Sequence, residues 1–390
     1  MSDVPESTDP VQFRTEVRAF LDRALTAELR AAGAMQIGVF SPAAVGRVWH
    51  RILYQQGWIT PTWPSEHGGR GWGPLQKYIF EQECALANAP TLSSAGLLMC
   101  GPILIHFGTA QQKARFLPHL RSGDDYWCQG YSEPGAGSDL AALSCRGRRE
   151  GDVYVVDGTK LWTTHAQYAD WVFLLVRTST HERPQQGITF LLADMRSPGL
   201  TVKPIISMSG EHEVNQLFFD GVQVPADNRI GAEGDGWTIA KRLLEFERSG
   251  VYGPRVRRLL MQAKHLARAD GRRWRDTDFR RRFAELSMET DALEAGELRM
   301  LTADVGENLG VTTSLLKLAG TETLQRASEL CVLAGGSQSA YAHDTTPMSS
   351  ATAGDASVAM ARYLNMRAAT IYGGSSEVQR NILAKTALRL

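Results

Sequence analysis

The 390-residue chain begins with a helical pattern of apolar positions. Apolar side chains recur there at three- and four-residue intervals, at Phe13, Val17, Phe20 and Leu21. Asp9 followed by Pro10 indicates the start of this helix, as an N-cap before a first-turn proline. The pattern continues to about residue 120, with a loop rich in Gly, Pro and Trp at 60–73. The sequence therefore predicts an N-terminal helical domain over residues 1–124.

Between residues 125 and 232 the apolar residues form short runs that are typical of β-strands. Two Asp-Gly pairs, Asp157-Gly158 and Asp220-Gly221, are flanked by strand formers and predict hairpin turns. Further strands are predicted at 171–176, 188–192 and 200–206. Strands this short and closely spaced favour a small barrel or sandwich over a parallel sheet.

Residues 233–390 return to long helical patterns rich in Ala, Leu and Arg, which predict a C-terminal helical bundle. No internal repeat interrupts them. The order of helical, β and helical regions predicts an α+β fold in three parts.

Charge and cysteine usage narrow the class of protein. Lys and Arg together number 42, as do Asp and Glu, so no overall basic field exists to hold nucleic acid or an anionic membrane. The five cysteines are scattered without C-x-x-C spacing, which argues against a disulfide framework or a metal site and favours a reducing compartment. The N-terminus is acidic and polar, and no apolar run is long enough to cross a bilayer. We therefore expect a cytoplasmic protein.

Residues 131–139 (YSEPGAGSD) carry the strongest chemical signal. A loop with two glycines can turn several backbone N–H groups toward one ligand, and Ser132 and Ser138 add hydroxyl donors. This geometry suits an anionic or carbonyl-rich cofactor edge. The alternative is an ordinary turn that connects two strands.

Two further segments join this loop. Trp162-Thr163-Thr164 follows the predicted hairpin at Asp157-Gly158, and a tryptophan on a strand is also compatible with plain core packing. Near the C-terminus, Gly373-Gly374 should end one helix, and Ser376 with Gln379 predicts a capping box for the next. A Gly-Gly turn that leads into a helix N-terminus favours anions.

All three segments resemble the flavin-contacting motifs of the acyl-CoA dehydrogenase family, written (T/S)-E-P-x-A-G-S-D, W-x-T and Y-E-G-T-S-E-(I/V)-Q-R-N. The resemblance covers nearly the whole chain and implies bound FAD. It assigns cofactor contacts to Tyr131, Ser132, Gly137, Ser138, Trp162, Thr164, Ser375 and Glu377. Within that set, Thr164 is expected near flavin N5, Trp162 near the dimethylbenzene edge, and Ser138 also near the substrate.

The chain departs from the family pattern at Gly373, where many members carry the catalytic glutamate. Some members place the base on the helix after the β-domain, and the resemblance puts Glu247 at that position, with Arg248 beside the substrate. Glu247 shares a helical stripe with Leu243 and Leu244. Desolvation at an apolar edge raises a carboxyl pKa toward the range of a general base. The alternative is a Glu-Arg pair on a solvated helix face.

A cluster of arginines follows at positions 272, 273, 275, 280, 281 and 282. The family usually supplies an arginine to the FAD diphosphate from this region, but the R-x-x-F-G pattern is absent. A solvated basic face is the favoured reading for most of them.

The resemblance implies α,β-dehydrogenation of an acyl-CoA thioester to a trans-2-enoyl-CoA, with electrons passing to an electron-transfer flavoprotein or a similar acceptor. It also implies a tetramer, formed by identical chains or with a similar partner subunit. Two alternatives stay open: a flavin-dependent oxygenase of the same fold, and a flavin-binding subunit that needs its partner for activity. Gly373 is the feature that permits both.

Overall fold

The structure is a computed structural model that describes residues 7–248, 251–302, 309–340 and 351–389. Between residues 7 and 124 it has six α-helices: α1 (Pro10–Ala24), α2 (Ala27–Ala34), α3 (Ala43–Gln56), α4 (Pro74–Leu86), α5 (Gly101–Phe107) and α6 (Ala110–Ser122). A π-helix, Ala95–Cys100, runs directly into α5. Asp9 caps α1, because its side chain accepts hydrogen bonds from the backbone N–H groups of Val11 and Gln12. The predicted start of this helix is confirmed.

Eight strands follow, and all belong to one sheet: β1 (Trp127–Gly130), β2 (Arg146–Glu150), β3 (Val153–Thr164), β4 (Trp171–Arg177), β5 (Ile188–Asp194), β6 (Leu200–Ile205), β7 (Val214–Pro225) and β8 (Arg229–Ile230). Their order is β6-β7-β3-β2-β4-β5-β8, and β1 pairs in parallel with β4. The two long strands β3 and β7 pair antiparallel along most of their length.

The two predicted Asp-Gly hairpins are wrong. Asp157-Gly158 lies inside β3 and Asp220-Gly221 inside β7, where the two strands face each other across a shift in register. The Asp157 carboxylate accepts a hydrogen bond from the backbone N–H of Gly221 at 2.7 Å. Both glycines have positive φ, +144° at Gly158 and +62° at Gly221. The Asp-Gly pairs therefore build a β-bulge, which uses the same left-handed glycine conformation as a tight turn.

The described residues from 233 onward contain six α-helices: α7 (Gly236–Arg248), α8 (Gly253–Asp270), α9 (Thr277–Thr302), α10 (Leu309–Gly335), α11 (Ala351–Met366) and α12 (Ser376–Leu383). Helix α10 packs against α8, α9, α11 and α12 and is the centre of this bundle. Helix α7 also contacts α10, but it packs mainly against β5, α5 and the π-helix, so it lies beside the sheet.

The sheet is buried on both faces at β4. Phe173 lies in a core shared with the N-terminal helices and with Leu243 of α7, whereas its neighbours Val172 and Leu174 lie in a second core within the β-region. Burial on both sides explains why this strand reads as a continuous apolar run. None of the helices in the described ranges is long and apolar enough to cross a membrane.

Candidate functional site

The 131–139 loop is anchored by a buried carboxylate. Glu133 Oε2 accepts hydrogen bonds from the backbone N–H of Ser144 at 2.7 Å and from the Ser144 hydroxyl at 2.9 Å. Its Oε1 accepts from the backbone N–H of Cys145 at 3.0 Å and from Lys160 Nζ at 2.7 Å. Lys160 is 0% exposed and also donates to the Tyr131 carbonyl at 3.2 Å. One ion pair thus fixes the loop to strand β3.

Electrostatics keep Glu133 charged. Burial raises the pKa of its carboxyl, but the Lys160 ammonium and the backbone N–H donors of Ser144 and Cys145 outweigh burial, so the net pKa is lowered. A buried carboxylate and a buried ammonium each require the other, because either one without its partner carries the full cost of desolvation. Lys160 was not identified from the sequence as a residue of the site. The available signal was a lysine within the apolar strand β3, where a charged side chain requires a partner.

The outer side of this loop is open. Ser138 and Gly137 are exposed, and a Cβ added at Gly135 or Gly137 meets no atom within 4 Å. Paired backbone hydrogen bonds between Glu133 and Ala136 close the turn, at 2.9 and 3.1 Å. The predicted cofactor residues Gly137 and Ser138 therefore border accessible space on a rigid support.

The second motif lies directly beside the first. The Leu161 N–H donates to the Ser132 carbonyl at 2.8 Å, which joins the loop to β3 next to Trp162. Trp162 lies in a register shift of β3, has a φ of +62°, and leaves its side chain 57% exposed. A left-handed backbone at a tryptophan costs about 1–2 kcal/mol. A bulge that holds a large ring outward at this cost is typical of a binding site.

The third motif belongs to the helical bundle. Ser375 is the N-cap of α12, and its hydroxyl accepts a hydrogen bond from the Val378 N–H at 3.3 Å. The predicted capping box at Ser376 is therefore wrong by one residue. Glu377 is exposed in the first turn of α12, and backbone and Ser375 hydrogen bonds lower its pKa. Anionic groups are favoured at this helix end.

A second buried lysine holds this segment. Lys317 of α10, 2% exposed, donates from Nζ to the Gly374 carbonyl at 2.5 Å. Gln379 Nε2 donates to the same carbonyl at 3.2 Å. Lys317 was also missed, because its partner is a backbone oxygen that no residue pattern reveals.

The backbone conformation explains why a glycine stands at the usual position of the base. Gly373 and Gly374 have φ values of +65° and +92°. A glutamate at 373 would need a left-handed backbone, which disfavours any residue with a Cβ. The neighbouring Ile371 and Tyr372 are 67% and 41% exposed, so the turn presents apolar surface.

Glu247, the predicted alternative base, lies on α7, one helical turn after the fully buried Leu243. The backbone of Glu247 and Arg248 belongs to the last turn of that helix, whereas their side chains lie outside the described residues. Helix α7 is packed against the sheet and the π-helix. The arginine cluster is largely solvent-facing, and Arg281 and Arg282 both pair with Asp278 on their own helix.

The chain has a three-part architecture, and its candidate site is built from a strand, a bulge and a helix N-terminus. Comparisons with known proteins identify the family that has this fold. Family models match over three consecutive ranges: the acyl-CoA dehydrogenase N-terminal domain over 7–124, the middle domain over 128–222 and the C-terminal domain over 234–388. The chain therefore belongs to the acyl-CoA dehydrogenase family, which consists of FAD-dependent oxidoreductases.

Individual relatives are similar to this chain over nearly its full length. Acyl-CoA dehydrogenase IpdE1 of Mycobacterium tuberculosis is 35% identical, with 98% of each chain covered. Among solved structures, the steroid acyl-CoA dehydrogenase Tcur3481-Tcur3483 has a TM-score of 0.86 at 29% identity, covering 100% of this chain and 99% of that one. The ChsE4-ChsE5 complex of Mycobacterium tuberculosis has a TM-score of 0.82 at 29% identity, with the same coverage.

The residues present fit a flavin. An exposed indole at Trp162, an open glycine loop at 135–137 and a capped helix N-terminus at Ser375 offer a stacking surface, backbone donors and an anion-favouring end. Among the described residues, no group of three or more His, Cys, Asp and Glu side chains could hold a metal ion.

Proposed function

We propose that this enzyme binds FAD and dehydrogenates an acyl-CoA thioester at the α and β carbons to give a trans-2-enoyl-CoA. The observation that carries the proposal is the direct joining of the 131–139 loop to the Trp162 bulge through Glu133 and Lys160. This junction gives an exposed ring and open backbone donors one rigid support. Bound FAD would supply the redox chemistry, with N5 as the proposed acceptor of the β-hydrogen as hydride.

The protein's own residues divide the remaining tasks. Tyr131, Ser132, Gly137, Ser138, Trp162, Thr164, Ser375 and Glu377 are assigned to cofactor binding. Ser138 also contacts the substrate, and Arg248 binds it. Hydrogen-bond donors at the thioester carbonyl stabilise the negative charge that develops when the α-proton leaves.

Glu247 is assigned as the base that takes the α-proton. Gly373 has no side chain to do so, and its left-handed backbone disfavours a glutamate at that place. Helix α7 supports the assignment, because it packs beside the sheet that bears the proposed flavin residues. A carboxylate next to apolar side chains has the raised pKa that proton abstraction near neutral pH requires.

The acyl group is proposed to be steroid-derived. Two structures similar over the whole chain are a steroid acyl-CoA dehydrogenase and a complex of two proteins, ChsE4 and ChsE5. The ChsE4-ChsE5 complex supports association with a second subunit. The proposed assembly is a tetramer, built from identical chains or with a similar subunit. Electrons are proposed to leave to an electron-transfer flavoprotein or a similar acceptor.

An anaerobic titration with straight, branched and steroid-derived acyl-CoAs tests the reaction through the visible flavin band. We expect a steroid-derived acyl-CoA to bleach the wild-type flavin. Glu247→Gln should slow bleaching at least about 100-fold, because a general base contributes that much or more to the rate. Glu245→Gln, two residues away on the same helix, is the matched control and should retain the wild-type rate.

Different failures point to different alternatives. Wild-type bleaching rates in Glu247→Gln would overturn the base assignment. An oxidised flavin that persists with every acyl-CoA would favour either a missing partner subunit or the oxygenase alternative. Oxygen uptake with reduced nicotinamide or reduced flavin separates these two, and restoration of bleaching by an added similar subunit favours the first.

A further inference from the structure

The π-helix Ala95–Cys100 contacts elements from both halves of the proposed active site. It packs against α7, which carries Glu247, and against β1, which leads directly into the 131–139 loop. In the proposed reaction the substrate's α-carbon must lie between the base and the flavin. A substrate bound there would have the π-helix as a neighbour, and this segment leaves the large apolar side chain of Leu98 38% exposed.

The sequence explains why this segment is π-helical. Pro102 has no N–H to give to the carbonyl of Leu98 four residues earlier, and its ring would clash with that carbonyl in an α-helix. The Gly101 N–H instead donates to the Gly96 carbonyl, five residues back. Such i to i+5 bonds are rare and occur frequently at functional sites.

One carbonyl loses its helical donor as a result. In an α-helix the Leu97 carbonyl would accept from Gly101, whose N–H is already used by Gly96. In a continued π-helix it would accept from Pro102, which has no N–H. Trp63 fills this gap, because its indole Nε1–H donates to the Leu97 carbonyl at 3.1 Å. A buried carbonyl left without a donor would destabilise the folded state.

The fit of Trp63 depends on a glycine. A Cβ on Gly101 would lie 2.1 Å from Cζ2 of the Trp63 ring, which is a severe overlap. Trp63 itself is only 3% exposed. A tryptophan from the 60–73 loop, a glycine without a Cβ and a proline without an N–H thus form one interlocking set.

We propose that Trp63 is a positioning residue: its indole N–H holds Ala95–Cys100 in the π-helical form, and that form shapes the acyl-group side of the substrate site. The second half of this inference rests on the proposed function. Without this donor the segment would leave the π-helical register, and a changed number of residues per turn would make the side chains that follow face different directions. Acyl selectivity, rather than the chemical step, should then depend on Trp63.

Trp63→Phe removes the donor and keeps an aromatic ring. Trp72→Phe is the matched control, because Trp72 is a buried tryptophan of the same loop that packs edge-on against Phe13. In the protein without substrate, hydrogen exchange of residues 95–107 should be about fivefold faster in Trp63→Phe than in the control. Gly101→Ala, which displaces the indole while favouring helix, provides a second variant if the first folds poorly.

Selectivity is the functional measurement. We expect both Trp63→Phe and Gly101→Ala to change the ratio of kcat/KM for steroid-derived and straight-chain acyl-CoAs about tenfold. The change should appear in KM, with kcat for the preferred substrate retained. Exchange and selectivity in Trp63→Phe equal to those of Trp72→Phe would overturn the inference. If no acyl-CoA reduces the wild-type flavin, the proposed function fails instead, and the exchange experiment still decides whether Trp63 holds the π-helix.

Discussion

Two buried glutamates, one on the sheet side and one in the helical bundle, are held in opposite ways. Glu133 pairs with the Lys160 ammonium and is a charged anchor with a lowered pKa. Glu297 of α9, 1% exposed, accepts hydrogen bonds at 2.5 and 3.1 Å from the backbone N–H groups of Tyr252 and Gly253, at the start of α8. Burial raises the pKa of Glu297 to about 7.

The difference shows what a buried carboxylate needs in order to stay charged. A full positive charge at 2.7 Å outweighs the cost of burial at Glu133. The partial charges at a helix N-terminus do not outweigh it at Glu297, where Glu294 and Glu81 also raise the pKa. The sheet side therefore keeps its anchor over a wide pH range, whereas the α8 anchor titrates near neutrality.

The largest effect is expected from breaking the ion pair on the sheet side. Lys160→Met leaves the Glu133 carboxylate buried without a cation, which should lower the free energy of unfolding by about 3–5 kcal/mol. Loss of bound FAD should accompany it, because the 131–139 loop loses its anchor. Denaturant unfolding and the flavin-to-protein absorbance ratio measure the two effects. The double variant Lys160→Met with Glu133→Gln should recover part of the stability, and equal loss in both variants would contradict the pairing argument.

A smaller effect on the free energy of unfolding is expected from a change of pH, and its sign is opposite for the two glutamates. The raised pKa of Glu297 means that the folded state binds a proton more tightly than the unfolded state between about pH 4.5 and 7. Its contribution to stability is therefore complete below about pH 4.5 and is lost as the pH rises to about 7, by about 3 kcal/mol. Glu297→Gln should remove this decline from the pH dependence of unfolding.

Glu133→Gln provides the comparison. The lowered pKa of Glu133 contributes stability above its unfolded pKa, and this contribution is lost as the pH falls through the folded value. For each variant, the difference in unfolding free energy from the wild type is plotted against pH. The two plots should thus have slopes of opposite sign. Slopes of the same sign would show that folding shifts the pKa of the two carboxyl groups in the same direction.

The smallest effect on stability is expected at α12, a second helix of the bundle whose N-terminus is held by a side chain. Ser375→Ala removes the N-cap of α12 and should cost about 1 kcal/mol of unfolding free energy. Ser376→Ala is the matched control, because the Ser376 hydroxyl has no hydrogen-bond partner in the described part of the chain. It should be nearly neutral, and a larger loss at Ser376 than at Ser375 would restore the cap position expected from sequence.

Sequence patterns predicted the order of helical and β regions and the motifs of the candidate site, because these depend on local spacing. They failed where a long-range contact decides the outcome. Asp157-Gly158 has the composition of a hairpin turn, yet it lies in a strand because Asp220-Gly221 of β7 pairs with it. The domain boundaries at 1–124, 125–232 and 233–390 and the roles of the site residues remain predictions.

By itself, the sequence determined the family and the glycine in place of the usual base. These features follow from residue identity and from conformations that particular residues allow or forbid. Only the tertiary structure decided that Lys160 meets Glu133, that Lys317 holds Gly374, and that Trp63 donates to Leu97. Each of these contacts joins residues at least 27 positions apart, as between Glu133 and Lys160, and no local pattern encodes which distant group satisfies a buried charge or carbonyl.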